Sequence, residues 1–276
     1  MTDLKKLLKN AENDLLLSDS PKNDAFEIAS LVFGLSRTDI LLCPVRELPG
    51  VALNRFDELI KKRAGGYPLQ YILGEWDFFG FTFYVTEGVL IPRPETEQIA
   101  DKACAFLKNK KNAVVFDICA GSGCIGLSVA ANNPDSSVFL FDISEQALAC
   151  EERNRNRHSL DNVTILDYDI FSGFSGSLPE PDVILCNPPY VTREEYRMLE
   201  TSIFFEPETA IVADGDGLDF YRCLAGKWLP YLKKDGFFMF ESGEGQPEKI
   251  MRILGGKFRA VCENDMYGVC RFVRSL

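Results

Sequence analysis

A strand, a glycine-rich turn and a helix start follow one another between Ala113 and Ala130, and that succession limits the fold more than any other feature of the chain. Ala113-Val114-Val115-Phe116-Asp117-Ile118 is short, apolar and β-rich. It runs into Cys119-Ala120-Gly121-Ser122-Gly123-Cys124-Ile125-Gly126, after which Ile125, Leu127, Val129 and Ala130 keep a helical pattern able to pack on a sheet. Glycines let the backbone approach a ligand closely, so this unit is a nucleotide-binding device. Gly121, Gly123 and Gly126 satisfy G-x-G-x-x-G, a pattern that fits NAD, FAD or S-adenosylmethionine. A second apolar segment, Val138–Phe141, ends in Asp142, nineteen positions after Gly123. An acid there can accept hydrogen bonds from both ribose hydroxyls. Asp117, at the tip of the first strand, would repel a pyrophosphate. It suits a cofactor that carries a cationic amino group and a sulfonium, so the reading leans to S-adenosylmethionine.

The surrounding pattern predicts two domains. From Leu4 to about Leu73 the apolar residues fall at helical spacing: Leu4, Leu7, Leu8, Ala11 and Leu15, then Ala25, Ile28, Ala29, Val32 and Phe33, then Leu53, Phe56, Leu59 and Ile60. These stripes read as core. Aromatics and glycines over 76–92 suggest a β-hairpin. Strands are expected near 114–118, 138–142, 163–166, 182–186, 237–241 and 269–273, alternating with helices. That is the doubly wound α/β pattern, whose ligand sits at the carboxyl ends of the strands. The expected division is a helical domain over 1–75, a hairpin linker over 76–94 and a catalytic domain over 95–276.

At one such strand end stands Asn187-Pro188-Pro189-Tyr190, after the apolar run Val183–Cys186. It places a side-chain amide, a proline carbonyl and an aromatic face within four residues. That suits the alignment of a flat, weakly nucleophilic nitrogen, an amide or an exocyclic amine, with an electrophile. The nitrogen's lone pair is delocalised, so a general base alone does little. Two acceptors, the Asn187 side-chain oxygen and the Pro188 carbonyl, could bind its N–H groups while Tyr190 stacks on the plane. The prolines stiffen the backbone, so the loop costs little entropy to order. A plain proline turn after a strand is the competing reading.

The chain resembles the release-factor glutamine methyltransferases (the HemK/PrmC family) over nearly its whole length. The resemblance rests on Pro68-Leu69-Gln70-Tyr71-Ile72-Leu73-Gly74, Phe79-Gly80-Phe81-Thr82-Phe83, Leu90-Ile91-Pro92-Arg93-Pro94-Glu95-Thr96-Glu97 and the Asn187–Tyr190 motif. Glu206-Pro207, Asp214–Leu218, Tyr221-Arg222, Glu241–Gln246 and Asp265–Arg271 follow in family order. Cys119 departs from it, standing where many class I methyltransferases have their first glycine; Ser242 stands where the family often has an apolar residue. The resemblance implies a class I (Rossmann-like) methyltransferase domain with an N-terminal helical bundle that helps recognise a protein substrate. The implied reaction moves a methyl from S-adenosylmethionine, leaving S-adenosylhomocysteine, to the side-chain amide nitrogen (N5) of the glutamine in the Gly-Gly-Gln motif of class 1 peptide chain release factors. Asp117, Cys119, Gly121, Gly123, Asp142, Asp169 and Asn187 are then expected at the cofactor. Asn187, Pro188, Pro189 and Tyr190 are expected at the substrate, with Phe79 and Arg93 closing over the glutamine or bracing the domain junction.

Composition narrows the alternatives. The formal net charge of −11 opposes a phosphate backbone, so direct nucleic-acid binding is not expected. Residues 76–276 hold thirty Asp/Glu against twenty Lys/Arg, a surface that suits a basic partner or simple solubility. Nine cysteines without a C-x-x-C pair read as reduced thiols in the cytoplasm, and Cys119 and Cys124 as packing residues. The start lacks a signal peptide's apolar core, and no apolar run is long enough to span a bilayer. The one histidine, His158, lies in a basic stretch and reads as a surface residue, so no metal site or Ser-His pair is expected. Alternatives are a ribosomal-protein glutamine methyltransferase, an adenine-N6 methyltransferase of nucleic acid, or an adaptor that binds a cofactor without catalysis. An intact Asn187 and Tyr190 disfavour the adaptor.

Overall fold

The computed structural model describes residues 2–42 and 45–276, which fall into two compact units. The first comprises Met1–Glu75 and a later segment, Glu200–Phe205. It holds helices α1 (Leu4–Asp14), α2 (Pro21–Phe33), α3 (Arg37–Leu42), α4 (Gly50–Ala64) and α5 (Leu69–Leu73), with a short pair of strands β1 (Thr2–Asp3) and β2 (Val45–Arg46). Asp3 caps α1 through its side chain, which accepts from the Lys5 and Lys6 amides. Gly34 closes α2 in the left-handed conformation. Of the expected stripes, Leu4, Leu8, Ala11 and Leu15 meet Ala25, Ile28, Ala29, Phe56, Leu59 and Ile60 in the interior. A buried ion pair, Arg63 Nε to Asp24 Oδ2 at 2.7 Å, ties α4 to α2. The later segment was not foreseen in this unit: the Phe205 ring packs edge-on against Tyr67, centroids 5.2 Å apart.

The second unit opens with a hairpin, β3 (Glu75–Phe78) and β4 (Phe81–Tyr84), joined by Phe79-Gly80. Both turn residues have positive φ, 49° and 78°, as the tightest hairpin turn requires. The hairpin packs within the unit, with Phe78 and Phe83 in its core. His158 corrects its surface reading here. Its ring is half-buried against Phe81 and Phe83, and Nε2 lies 3.1 Å from the Thr82 carbonyl oxygen. Burial lowers its pKa. The basic residues around it had obscured one apolar-facing position.

Seven strands form the central sheet: β5 (Val114–Ile118), β6 (Ser137–Asp142), β7 (Val163–Asp167), β8 (Val183–Cys186), β9 (Phe237–Glu241), β10 (Ala260–Asn264) and β11 (Cys270–Ser275). Their order is β10-β11-β9-β8-β5-β6-β7, with β7 through β9 parallel and the β11 and β10 edge antiparallel. Six of the seven stand where the sequence put them. β10 was missed because it is a half-exposed edge with little alternation. Buried on both faces, the parallel strands alternate between two cores. Val115, Leu140, Val183 and Leu185 join one layer with helices α6 (Glu97–Leu107) and α7 (Cys124–Asn132). Phe116, Ile118, Phe141, Ile184 and Cys186 join the other, around Trp228. Strand order reverses between β5 and β8, where Ile118 pairs with Cys186. That reversal opens a crevice beyond the carboxyl ends of both strands.

Candidate active site at the switch point

The turn after β5 is shaped residue by residue. Cys119 adopts φ 61°, so it takes the left-handed conformation that glycine usually supplies. Its amide and that of Ala120 both donate to the Phe141 carbonyl, at 2.9 and 3.2 Å, which folds the turn over the end of β6. Gly126 is required for a different reason. A Cβ there would lie 2.3 Å from Leu140 and 2.9 Å from Asp117 Oδ2, so only glycine lets α7 approach the sheet. Asp142 binds the turn from the neighbouring strand. Its Oδ2 accepts from the Gly121 amide at 2.9 Å and its Oδ1 from the amides of Ile143 and Ser144 at 2.9 and 3.0 Å. Three of about four acceptor positions are thus filled, leaving room for a ligand hydroxyl.

Beyond this turn lies a cavity of about 460 Å³. Cys119, Gly121, Asp142, Asp169, Asn187 and Pro189 all line it, as does Arg93. Sequence-distant residues therefore converge on one space. A Cβ added at Gly121 would meet nothing within 4 Å, so the turn leaves open room on that side. Asp169 Oδ1 accepts from the Phe171 amide at 2.8 Å and starts a short 3₁₀ turn, a structural task beside its place in the wall.

Other expected site residues lie outside this lining. Asp117 is fully buried under the turn on the α7 side and accepts from the Gly126 amide at 2.8 Å. Gly123 caps α7 and faces Leu127 and Leu140 in the interior. Phe79 sits in the hairpin turn, packed on the core, its amide donating to Glu97 Oε1 at 2.9 Å. Pro188 is buried outside the lining, and Tyr190 turns away from the cavity to reach Glu241 Oε1 at 3.3 Å.

Three functional-looking positions were not singled out in the sequence: Thr96 and Glu206 had been read only as parts of motifs, and Glu151 had not been read at all. Thr96, 3 % exposed, places Oγ1 at 2.6 Å from Glu241 Oε2 and 3.4 Å from Asn187 Nδ2. Glu206 is buried, accepts from the Ile91 amide at 2.9 Å and pairs with Arg93. It holds the 85–93 loop along the cavity. Arg93→Ala strands that carboxylate, and breaking such a pair costs roughly 3–5 kcal/mol. Since Arg93 is itself one-third exposed, urea denaturation should show a loss near the lower end of that range. Glu151 is the third. It is fully buried behind Gly123, and among the described residues neither carboxyl oxygen has a partner. Burial pushes its pKa up to about 9, with the Asp142 and Asp117 charges adding to the shift. Burial likewise raises Asp117 to about 7, and its Oδ1 has no partner among the described residues. The Asp117 carboxylate behind a glycine turn fits a cation-bearing ligand better than a pyrophosphate.

A doubly wound sheet with a glycine turn after its first strand and an Asn-Pro-Pro-Tyr segment after its fourth defines a class I, Rossmann-like methyltransferase. The fold is shared with the catalytic domain of hMettl16 solved with an RNA hairpin, at 15% identity and a TM-score of 0.56, covering 71% of this chain and 76% of that one. Residues 6–74 match the PrmC N-terminal domain and 98–217 the methyltransferase small domain. The release factor glutamine methyltransferase of Flavobacterium psychrophilum is 32% identical over 97% of this chain and 98% of its own. That of Streptococcus pneumoniae is 33% identical over 92% and 95%. The chain belongs to the release factor glutamine methyltransferase family and is an enzyme of that kind. Methyltransferases as a class draw their methyl group from S-adenosylmethionine. Among the described residues, no helix is long and apolar enough to cross a membrane.

Proposed function

We propose that the enzyme methylates the side-chain nitrogen (N5) of the Gly-Gly-Gln glutamine in class 1 peptide chain release factors, in the cytoplasm, with S-adenosylmethionine as donor. One observation carries this beyond the family: Asn187 and the Cys119–Gly121 turn, from adjacent strands at the switch point, line the same cavity. S-adenosylmethionine, when bound, supplies an electrophilic methyl on a sulfonium. Gly121 offers close backbone approach, Asp142 its remaining acceptor position for a ribose hydroxyl, and Asp169 the wall beside the base. Asp117, which ionises near neutral pH, supplies negative potential from behind the turn and need not touch the ligand, whereas Glu151 keeps its proton there. Asn187 Oδ1 and the Pro188 carbonyl accept from the substrate amide. Positioning lowers the barrier here, because aligning a poor nucleophile replaces a costly encounter. The surplus proton leaves to water, so no base is required.

The test is methyl transfer to purified release factor followed by mass spectrometry of the Gly-Gly-Gln peptide. A modified glutamine supports the reading; an unmodified peptide with cofactor binding intact overturns it. Asp142→Ala is expected to weaken S-adenosylhomocysteine binding by roughly ten- to a hundredfold, since charged hydrogen bonds contribute about 1.5–3 kcal/mol. Unchanged calorimetric affinity would leave Asp142 with the turn alone.

A further inference from the structure

An amide has two ends of nearly equal shape, and a free amide is more nucleophilic at oxygen than at nitrogen. Methylating the nitrogen therefore requires a site that tells the NH₂ end from the oxygen end. Asn187 carries the same ambiguity, because its own amide could face the cavity either way round. Resting on the proposed acceptor, we propose that Thr96 and Glu241 are positioning residues that fix the Asn187 amide with its oxygen toward the substrate, and so select the substrate's nitrogen.

Counting protons gives the direction. A threonine hydroxyl has one proton to donate, and a carboxylate can only accept. Glu241, 2 % exposed, has each oxygen engaged by a hydroxyl: Thr96 at 2.6 Å on Oε2 and Tyr190 at 3.3 Å on Oε1. Tyr221 donates to its backbone carbonyl at 2.7 Å, which holds the residue in place. Burial raises the Glu241 pKa, opposed by the Thr96 hydrogen bond, the Arg271 charge and the Tyr190 hydrogen bond. With both oxygens accepting, Glu241 takes the single Thr96 proton. Only lone pairs on Thr96 remain for Asn187, 3.4 Å away, so the Asn187 atom facing it must be the NH₂ nitrogen. Its Oδ1 has no hydrogen-bond partner among the described residues and is left for a ligand in the cavity that Asn187 lines. An acceptor there binds an N–H and repels a carbonyl oxygen. Tyr190 is the second donor that keeps Glu241 an acceptor.

Thr96→Val keeps the shape and removes the acceptor. It is expected to lower kcat roughly a hundredfold, the scale of a small misplacement of a reacting group, with S-adenosylhomocysteine affinity within about threefold of wild type. Thr96→Ser restores the oxygen and should recover kcat to within about threefold. Glu241→Gln, of equal volume, can donate to Thr96 and reverse the chain, so it should lose activity as the valine variant does. A second readout needs no turnover: the Asn187 side-chain NH₂ in nitrogen-15 spectra, assigned by its absence from Asn187→Ala. Its exchange with solvent should be slow in wild type and Thr96→Ser and fast in Thr96→Val. Near-normal kcat in Thr96→Val, equal losses in the serine and valine variants, or fast exchange in wild type would each overturn the assignment. If wild type leaves release factor unmodified while its exchange is slow, the proposed acceptor fails and the orientation of Asn187 stands.

Discussion

Turnover of Asn187→Ala is expected to fall by about 10²–10³ while the protein stays folded and keeps its cofactor affinity. The magnitude follows from the loss of one hydrogen bond aimed at the reacting group, worth about 3–4 kcal/mol. Folding should be spared because, among the described residues, the Asn187 side-chain amide makes a single hydrogen bond, the 3.4 Å contact to Thr96, and Thr96 keeps its shorter bond to Glu241. Cofactor affinity should be spared because the turn is held by Asp142 and the Phe141 carbonyl, which the substitution leaves in place. Single-turnover kinetics with release factor, alongside calorimetry with S-adenosylhomocysteine, separate the two quantities. A variant that turns over within a few-fold of wild type would remove Asn187 from the reaction.

Glu151→Gln should change the pH dependence of stability more than any other single substitution in the catalytic unit. In the folded protein the carboxyl titrates at about 9, chiefly because burial disfavours its charge; unfolded, it ionises near 4.5. Between those values the folded state holds a proton that the unfolded state has released, so wild-type stability falls as pH rises across that window. Glutamine carries no such proton. The difference in stability between variant and wild type should therefore move in the variant's favour by up to about 1.4 kcal/mol per pH unit, or nearly 3 kcal/mol between pH 6 and 8. Asp117, raised to about 7 by the same burial, leaves a smaller slope of the same sign in both proteins. Urea midpoints at three pH values suffice. Parallel curves for the two proteins would mean that Glu151 is already ionised in the native state.

Much of this was legible because it depends on local order along the chain. Apolar runs bounded by turns located six strands of the sheet, and the aspartate and asparagine at their ends located the crevice. Pairings across more than a hundred residues were not legible. Thr96 meeting Glu241 and Glu206 meeting Ile91 and Arg93 depend on strand order and loop path, which no periodicity encodes. Asp117 misled for a related reason. Its position at a strand tip was right, but the alternation of faces turned it toward α7, under the turn rather than into the cavity. Tyr190 was likewise placed correctly in sequence, and only the buried Glu241 explains why its hydroxyl points inward. Glu151 left no signal at all: an acid on a polar-looking helix reads as solvated, and here it is sealed.

The segment Glu200–Phe205 belongs with the helical unit although the chain on either side of it belongs with the sheet. The polypeptide therefore passes between the two units three times, after Glu75, after Leu199 and after Phe205. An N-terminal fragment ending at the first passage would lack Phe205, and Tyr67 would lose the ring that covers it. Inheritance follows the same logic. A recombination event that swapped the first 75 residues for those of a relative would bring a new Tyr67 surface without its partner strip. The helical unit thus depends on a few residues encoded well inside the stretch that makes the sheet, and a change around Tyr67 must be matched there.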